Sequence, residues 1–284
     1  MQPIEYTGTL ASGAYYTDVP NEDYHQAPGI SKSGLDLIDR SPAHYRYAPP
    51  RKTTRNMEIG TAIHTALLEP ERFASEYMLL RDVTDRRASA YKEAVKVYGS
   101  ERTLTGPEAD KVAGMQEAVY ANPHARKLLE SDGWRELSGV VKDPETGAIC
   151  RHRFDLLTVG GIAVDIKKTQ DARADAFQRA VYNYRYHVQA AFYADQYEWI
   201  TGERLRGFLF LAIEEEMPHG VGIYWLDDGS LAIAREEYRT ALRAYADCKA
   251  SGEWPSYSAE PAMLTLPDWV LSRHESDLED GGVY

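Results

Sequence analysis

Asp155 is followed ten residues later by Asp165-Ile166-Lys167, and that spacing is the strongest chemical signal in the chain. Side chains two apart on a strand project from the same face, so Asp165 and Lys167 point together. The segment Ile162-Ala163-Val164-Asp165-Ile166 is otherwise apolar enough for a buried strand. Charge in such a place is costly without a partner. Two carboxylates about 4 Å apart repel by about 1 kcal/mol in water and several-fold more in a partly dry cleft. A hard divalent cation with a polyanionic substrate removes that cost, and oxygen ligands suit Mg²⁺ or Mn²⁺. Phosphodiester hydrolysis is the chemistry this set would perform, with Lys167 orienting water or stabilising charge on the phosphate.

Turn geometry decides whether the carboxylates meet. A three-residue loop at 159–161 pairs position 158 with 162 and sets Asp155 directly opposite Asp165. A two-residue Gly160-Gly161 turn pairs Asp155 with Ile166 and sends the two acids to opposite faces. A bare D-x-K on a hairpin is by default a surface ion pair. His64, in Gly60-Thr61-Ala62-Ile63-His64, adds a metal-ligating type on a helix with small residues. Glu136 offers a further carboxylate just before the first strand. Gln189 and Tyr193 are four apart on a helix and share a face with Tyr182, Tyr186 and Tyr197, an arrangement that by itself is simply packing.

The elements that carry these residues can be read from pattern. Residues 1–28 are rich in Tyr, Pro and Gly and form an irregular lead-in. A helix starts at Ser31 or Ser33 as N-cap and closes at Ser41-Pro42. A second runs from about Glu58 to Leu68 and stops at Pro70. Residues 72–132 are mostly helical, with breaks near Gly99 and Gly106-Pro107. Strands at Leu137–Val141, Ala148–Thr158 and Ile162–Lys168 make an antiparallel meander. One long helix spans about Asp175–Ile200, followed by strands Gly207–Ile213 and Val221–Leu226 and a helix from about Glu236 to Ser251. An α/β (α+β) domain at 29–267 and an acidic tail at 268–284 complete the plan.

Composition sets the bounds. The chain has 284 residues, 43% of them hydrophobic, with 20 Tyr and a net charge of −12. That is enough for a sizeable core. No apolar run reaches the length of a membrane span. The N-terminus lacks a signal-peptide pattern, so a cytoplasmic location is expected. Cys150 and Cys248 are too few for a disulfide framework or an iron–sulfur cluster. The acidic charge argues against non-specific nucleic-acid binding, although basic clusters occur at Arg51-Lys52 with Arg55, at Arg151 and Arg153, at Lys167-Lys168, and at Arg173, Arg179 and Arg185.

The ordered set resembles the RecE-type (exonuclease VIII-like) branch of the PD-(D/E)XK nuclease superfamily. The likeness runs from about Tyr24 to Trp269. It comprises Tyr24-His25, Gly29-Ile30-Ser31-Lys32-Ser33, Ser41-Pro42-Ala43-His44-Tyr45, the histidine segment through Phe73, Arg153-Phe154-Asp155, Asp165-Ile166-Lys167 and Gln189 with Tyr193. The resemblance implies a restriction-endonuclease-like core, with a central mixed sheet and its catalytic meander flanked by helices. It implies His64, Asp155 and Asp165 as Mg²⁺ ligands (Mn²⁺ as a substitute) and Lys167 as catalytic lysine. Glu136 corresponds only loosely, and Gln189, Tyr193 and Arg153 would support the site or contact DNA. The activity implied is resection of the 5′-terminated strand of linear duplex DNA, leaving a 3′ single strand for a RecT-like annealing partner. Ring-shaped homo-oligomers and phage or prophage origin go with it. An endonuclease or single-strand nuclease on the same core, or a non-catalytic DNA-binding or assembly protein, are the competing readings.

Overall fold

The hairpin that carries the acids closes through Val159-Gly160-Gly161, and Gly161 takes a positive φ of 77° that a side chain would resist. Thr158 brackets the loop: its Oγ1 donates to the Ile162 carbonyl at 3.1 Å and accepts from the Ile162 N–H at 3.0 Å. Leu156 therefore pairs with Val164 and Leu157 with Ala163, which is the three-residue register. Extended by one more step, that register would set Asp155 across from Asp165, although the ladder itself stops at Leu156–Val164.

The computed structural model describes residues 2–50, 52–258 and 260–272, so Arg51 and most of the acidic tail lie outside the described residues. In chain order the elements begin with β1 (Ile4–Glu5), β2 (Ala14–Thr17), α1 (Asn21–Gln26), α2 (Lys32–Arg40), α3 (Pro42–Arg46), α4 (Arg55–Leu68) and α5 (Pro70–Glu76). Next come β3 (Met78–Leu80), α6 (Ser89–Tyr98), β4 (Thr103–Thr105), α7 (Gly106–Ala121) and α8 (Pro123–Leu129). The meander is β5 (Gly133–Lys142), β6 (Ile149–Thr158) and β7 (Ile162–Thr169). The chain continues through α9 (Ala174–Asn183), α10 (Tyr186–Thr201), β8 (Gly207–Glu214), β9 (Val221–Trp225) and α11 (Asp228–Ser251).

Seven strands form one mixed sheet in the order β1-β2-β5-β6-β7-β8-β9. The meander is antiparallel, while β7 and β8 are parallel and joined by the α9–α10 crossover. One face packs against α4 and α7 through Ile63, Ala66, Met115, Leu156, Val164, Ile166 and Leu211. The other packs against α2, α10 and α11 through Leu35, Phe154, Phe192, Phe210 and Tyr238. The site lies where a helix from each layer reaches the sheet.

Four differences from the sequence reading have local causes. Residues 1–28 are not an irregular lead-in: β2 joins the sheet beside β5, with Tyr15 opposite Gly139 and Tyr15 itself buried. Residues 72–132 include β3 and β4, a parallel pair of three residues each, too short to display a period of two. Helix α11 begins at Asp228, about two turns earlier than the apolar pattern suggests, because the Asp227 carboxylate accepts from the Ser230 N–H at 2.8 Å. The expected helix over 175–200 is two helices. Arg185 between them is left-handed, at φ 54° and ψ 40°, a conformation costing about 1–2 kcal/mol outside glycine. Ion pairs to Asp36 at 3.1 Å, Asp39 at 3.0 Å and Glu237 at 3.0 Å hold it there.

Candidate active site

A regular strand keeps residues two apart on one face. Here Phe154 joins one core layer and Leu156 the other. The switch falls on Asp155 and on its neighbour Glu136, which has a positive φ of 48° and lies between the pairs Arg135–Leu156 and Leu137–Phe154. Both strands turn over at this point. Beyond Leu156–Val164 the ladder between β6 and β7 also ends, and the Ile166 N–H donates to Asp155 Oδ2 at 2.7 Å instead. The opening so made lets groups from both helical layers meet.

From the α4 side comes His64, whose Nδ1 is 3.4 Å from Asp155 Oδ2. One ligand atom each from His64, Glu136 and Asp155 lies within 4.8 Å of the others. Glu136, which the sequence ties only loosely to the site, thus belongs to its tightest cluster. From the α10 side comes Gln189. Its Nε2 donates to Asp165 Oδ1 at 2.6 Å, and its Oε1 accepts from Lys167 Nζ at 3.1 Å. Lys167 Nζ also lies 2.5 Å from Asp165 Oδ2. That close ion pair is the contact made by Asp165 Oδ2, an oxygen otherwise buried.

The electrostatics follow from this crowding. Burial, and then the Asp155 charge, push the Glu136 carboxyl up to about 7, against the opposing pull of His64 and Arg153. Burial raises Asp165 as well, with Lys167 opposing and Asp155 adding to the rise. For Lys167, burial alone would favour the neutral amine, but Asp165 and Asp155 together outweigh it and hold the ammonium above its ordinary range. Two carboxylates that resist ionisation and a His/Glu/Asp donor set together fit a divalent cation.

The remaining candidates are structural in their contacts. Arg153 donates to Ser138 Oγ at 2.8 Å and to the Val19 carbonyl at 2.9 Å, and it stacks over the Tyr24 ring at 4.2 Å. Its Nη1 is 3.7 Å from Glu136, so it supports the site and is not free for DNA. Tyr193 is buried against His152 and Phe154, with ring centroids 5.1 and 5.7 Å away. The basic clusters are largely neutralised internally: Arg55 by Glu58 and Glu108, Lys168 by Glu215, Arg173 by Asp171. Tyr186, which pattern alone assigns to packing, lies under Lys167 Nζ at 4.5 Å from the ring centroid.

Residues 31–266 match the family described as PDDEXK-like domain of unknown function (DUF3799). The chain belongs to this family. Its fold is shared with a crystal structure of a candidate exonuclease from Eubacterium rectale, at 13% identity and a TM-score of 0.58, over 90% of this chain and 98% of the other. The structure of SSO0001 aligns over 75% of this chain and 98% of its own at 13% identity, with a TM-score of 0.28, too low to indicate a shared fold. No curated protein matches the sequence. The central mixed sheet flanked by helices is the PD-(D/E)XK nuclease-type core, and Glu136, Asp155, Asp165 and Lys167 occupy its meander, with His64 and Gln189 reaching it from the helices. No helix among the described residues is long and apolar enough to cross a membrane.

Proposed function

We propose that this protein is a divalent-metal-dependent exodeoxyribonuclease that hydrolyses the 5′-terminated strand at the ends of linear duplex DNA. The observation that carries the hydrolytic part is the convergence of His64, Glu136 and Asp155 within 4.8 Å, beside Asp165, Lys167 and Gln189. His64, Glu136 and Asp155 would hold the cation, with Asp165 in the field of the same cluster of charges. When bound, a cation such as Mg²⁺ or Mn²⁺ supplies charge neutralisation at the phosphate and makes a water more acidic.

The chain's own groups do the rest. Lys167, kept protonated by Asp165 and Asp155, acts as a fixed positive charge for the reacting phosphate and not as a base. Gln189 fixes the spacing of Asp165 and Lys167 by bonding both. Arg153 steadies Glu136 from behind.

The end preference and strand polarity rest on the sequence resemblance of Gly29–Ser33 and of the hairpin to RecE-type exonucleases. So does a single-strand annealing partner that receives the 3′ strand. A ring of several copies would reconcile a net charge of −12 with DNA binding, acids facing outward and cations lining the bore.

The test is incubation with Mg²⁺ and linear duplexes labelled at the 5′ or the 3′ end, beside covalently closed circles. Early release of the 5′ label with intact circles is expected, and Asp155→Ala and Lys167→Ala should each abolish it. Cutting of circles would replace the exonuclease reading with an endonuclease. Undiminished activity in both variants would sink the site assignment.

A further inference from the structure

Tyr184 and Tyr186 are two apart in sequence, which on a continuous α-helix places them about 200° apart, unable to touch. Here their rings stack, with centroids 5.5 Å apart and planes 26° from parallel. The left-handed turn at Arg185 makes the stack possible, and three carboxylates are spent on holding it. Lys32 fastens the same corner by donating to the Tyr184 carbonyl at 2.6 Å. Behind Tyr186 lies Lys167 Nζ, 4.5 Å from the ring centroid. Tyr184, on the outer side, is 63% exposed. An aromatic stack therefore runs from the ammonium beside Asp165 out to solvent. Its outer ring is held in place by a strained backbone, although neither core layer uses that ring.

We propose that Tyr184 is a substrate-positioning residue whose ring stacks an unpaired nucleobase of the strand being cut, so that the end nucleotide is splayed from the duplex as its phosphate meets Lys167. The inference rests on the nuclease reading above and adds the form in which the strand is presented. Every base offers a π-face, so the platform takes any sequence, and alanine substitution at such a stack weakens binding by about 5- to 150-fold. The neighbouring positive charge of Lys167 and the polyanionic backbone favour a nucleotide over an apolar side chain of another protein as occupant.

The test is steady-state kinetics on linear duplex with Mg²⁺. Tyr184→Ala should raise KM about 5- to 150-fold with kcat changed by less than about threefold, and Tyr184→Phe should restore KM because the hydroxyl is not used. Substrates with an abasic site at the first or second nucleotide of the 5′-terminated strand should raise the wild-type KM by a similar factor, and add little further for Tyr184→Ala. With 2-aminopurine at that nucleotide, saturating wild-type protein should quench its emission, and Tyr184→Ala should not. Cleavage by wild type with KM indifferent to Tyr184→Ala, or with no rescue by Tyr184→Phe, overturns the platform and leaves the nuclease reading standing. A wild-type protein that neither cleaves nor binds any DNA overturns both.

Discussion

Glu136→Gln should make the metal-free protein more stable while removing its response to metal. Glutamine keeps the size of the side chain and the positive φ of 48° that the backbone imposes at this position. What it removes is a carboxylate pushed from its ordinary 4.5 up to about 7, first by burial and then by Asp155. Because the folded-state value lies above the unfolded one, the folded protein holds this proton more tightly. Stability therefore falls as pH rises from 4.5 to about 7 and stays reduced above that. The full effect is about 3 kcal/mol. With 31% of the Glu136 side chain exposed, solvent screening brings it to roughly 2–3 kcal/mol. In EDTA at pH 8.5 the variant should then gain roughly 2–3 kcal/mol in urea unfolding, or roughly 4–6 °C in Tm. The gain should shrink as pH drops through 7 and vanish near 4.5. Mn²⁺ at about 100 times its Kd should stabilise the wild type by about 2.7 kcal/mol and the variant far less, so the order of stabilities narrows or inverts. If the variant is less stable than wild type in EDTA at pH 8.5, or if Mn²⁺ stabilises both equally, the carboxylates are not a strained metal site.

Gln189→Leu removes two hydrogen bonds to charged groups and leaves the buried Asp165 Oδ1 without its donor; a loss of about 2–4 kcal/mol by denaturant titration is expected, with slower cleavage than wild type. His152 is wholly buried between Tyr15 and Gln196, and burial holds its imidazole down at about 3. Its folded-state value lies below the unfolded 6.5, so the stability it carries is full above pH 6.5 and declines by about 1.4 kcal/mol per pH unit toward pH 3. His152→Gln should flatten that part of the pH–stability curve, and an unchanged slope would refute the burial argument. Leu156, fully buried under α4 beside the face switch, should cost about 2–5 kcal/mol on replacement by Ala.

Much of this was legible in the chain because periodicity and turn chemistry are local. The strand alternation, Gly160-Gly161 and the D-x-K spacing set out the hairpin, and Ser41-Pro42 and Pro70 bounded the helices they flank. Other features depend on partners far away. Glu136 joins His64 and Asp155 in one cluster only because β5 and β6 turn over together, and the alternation of neither strand reveals that. The break at Arg185 is invisible in an unbroken helical pattern, since the carboxylates that stabilise it come from α2 and α11. Residues 1–28 lack a strong strand signal because β2 gains its stability from the edge of β5.

By itself the sequence determined the types of group present: two aspartates, a lysine, a histidine and a glutamine–tyrosine pair at spacings that suit hydrolysis of a phosphodiester. Tertiary structure alone decided how those groups are shared out. It grouped Glu136 with His64 and Asp155, and Asp165 with Lys167 and Gln189. The physical reason is that a ligand cluster is set by where strands twist and separate, and that is fixed by packing on both faces of the sheet.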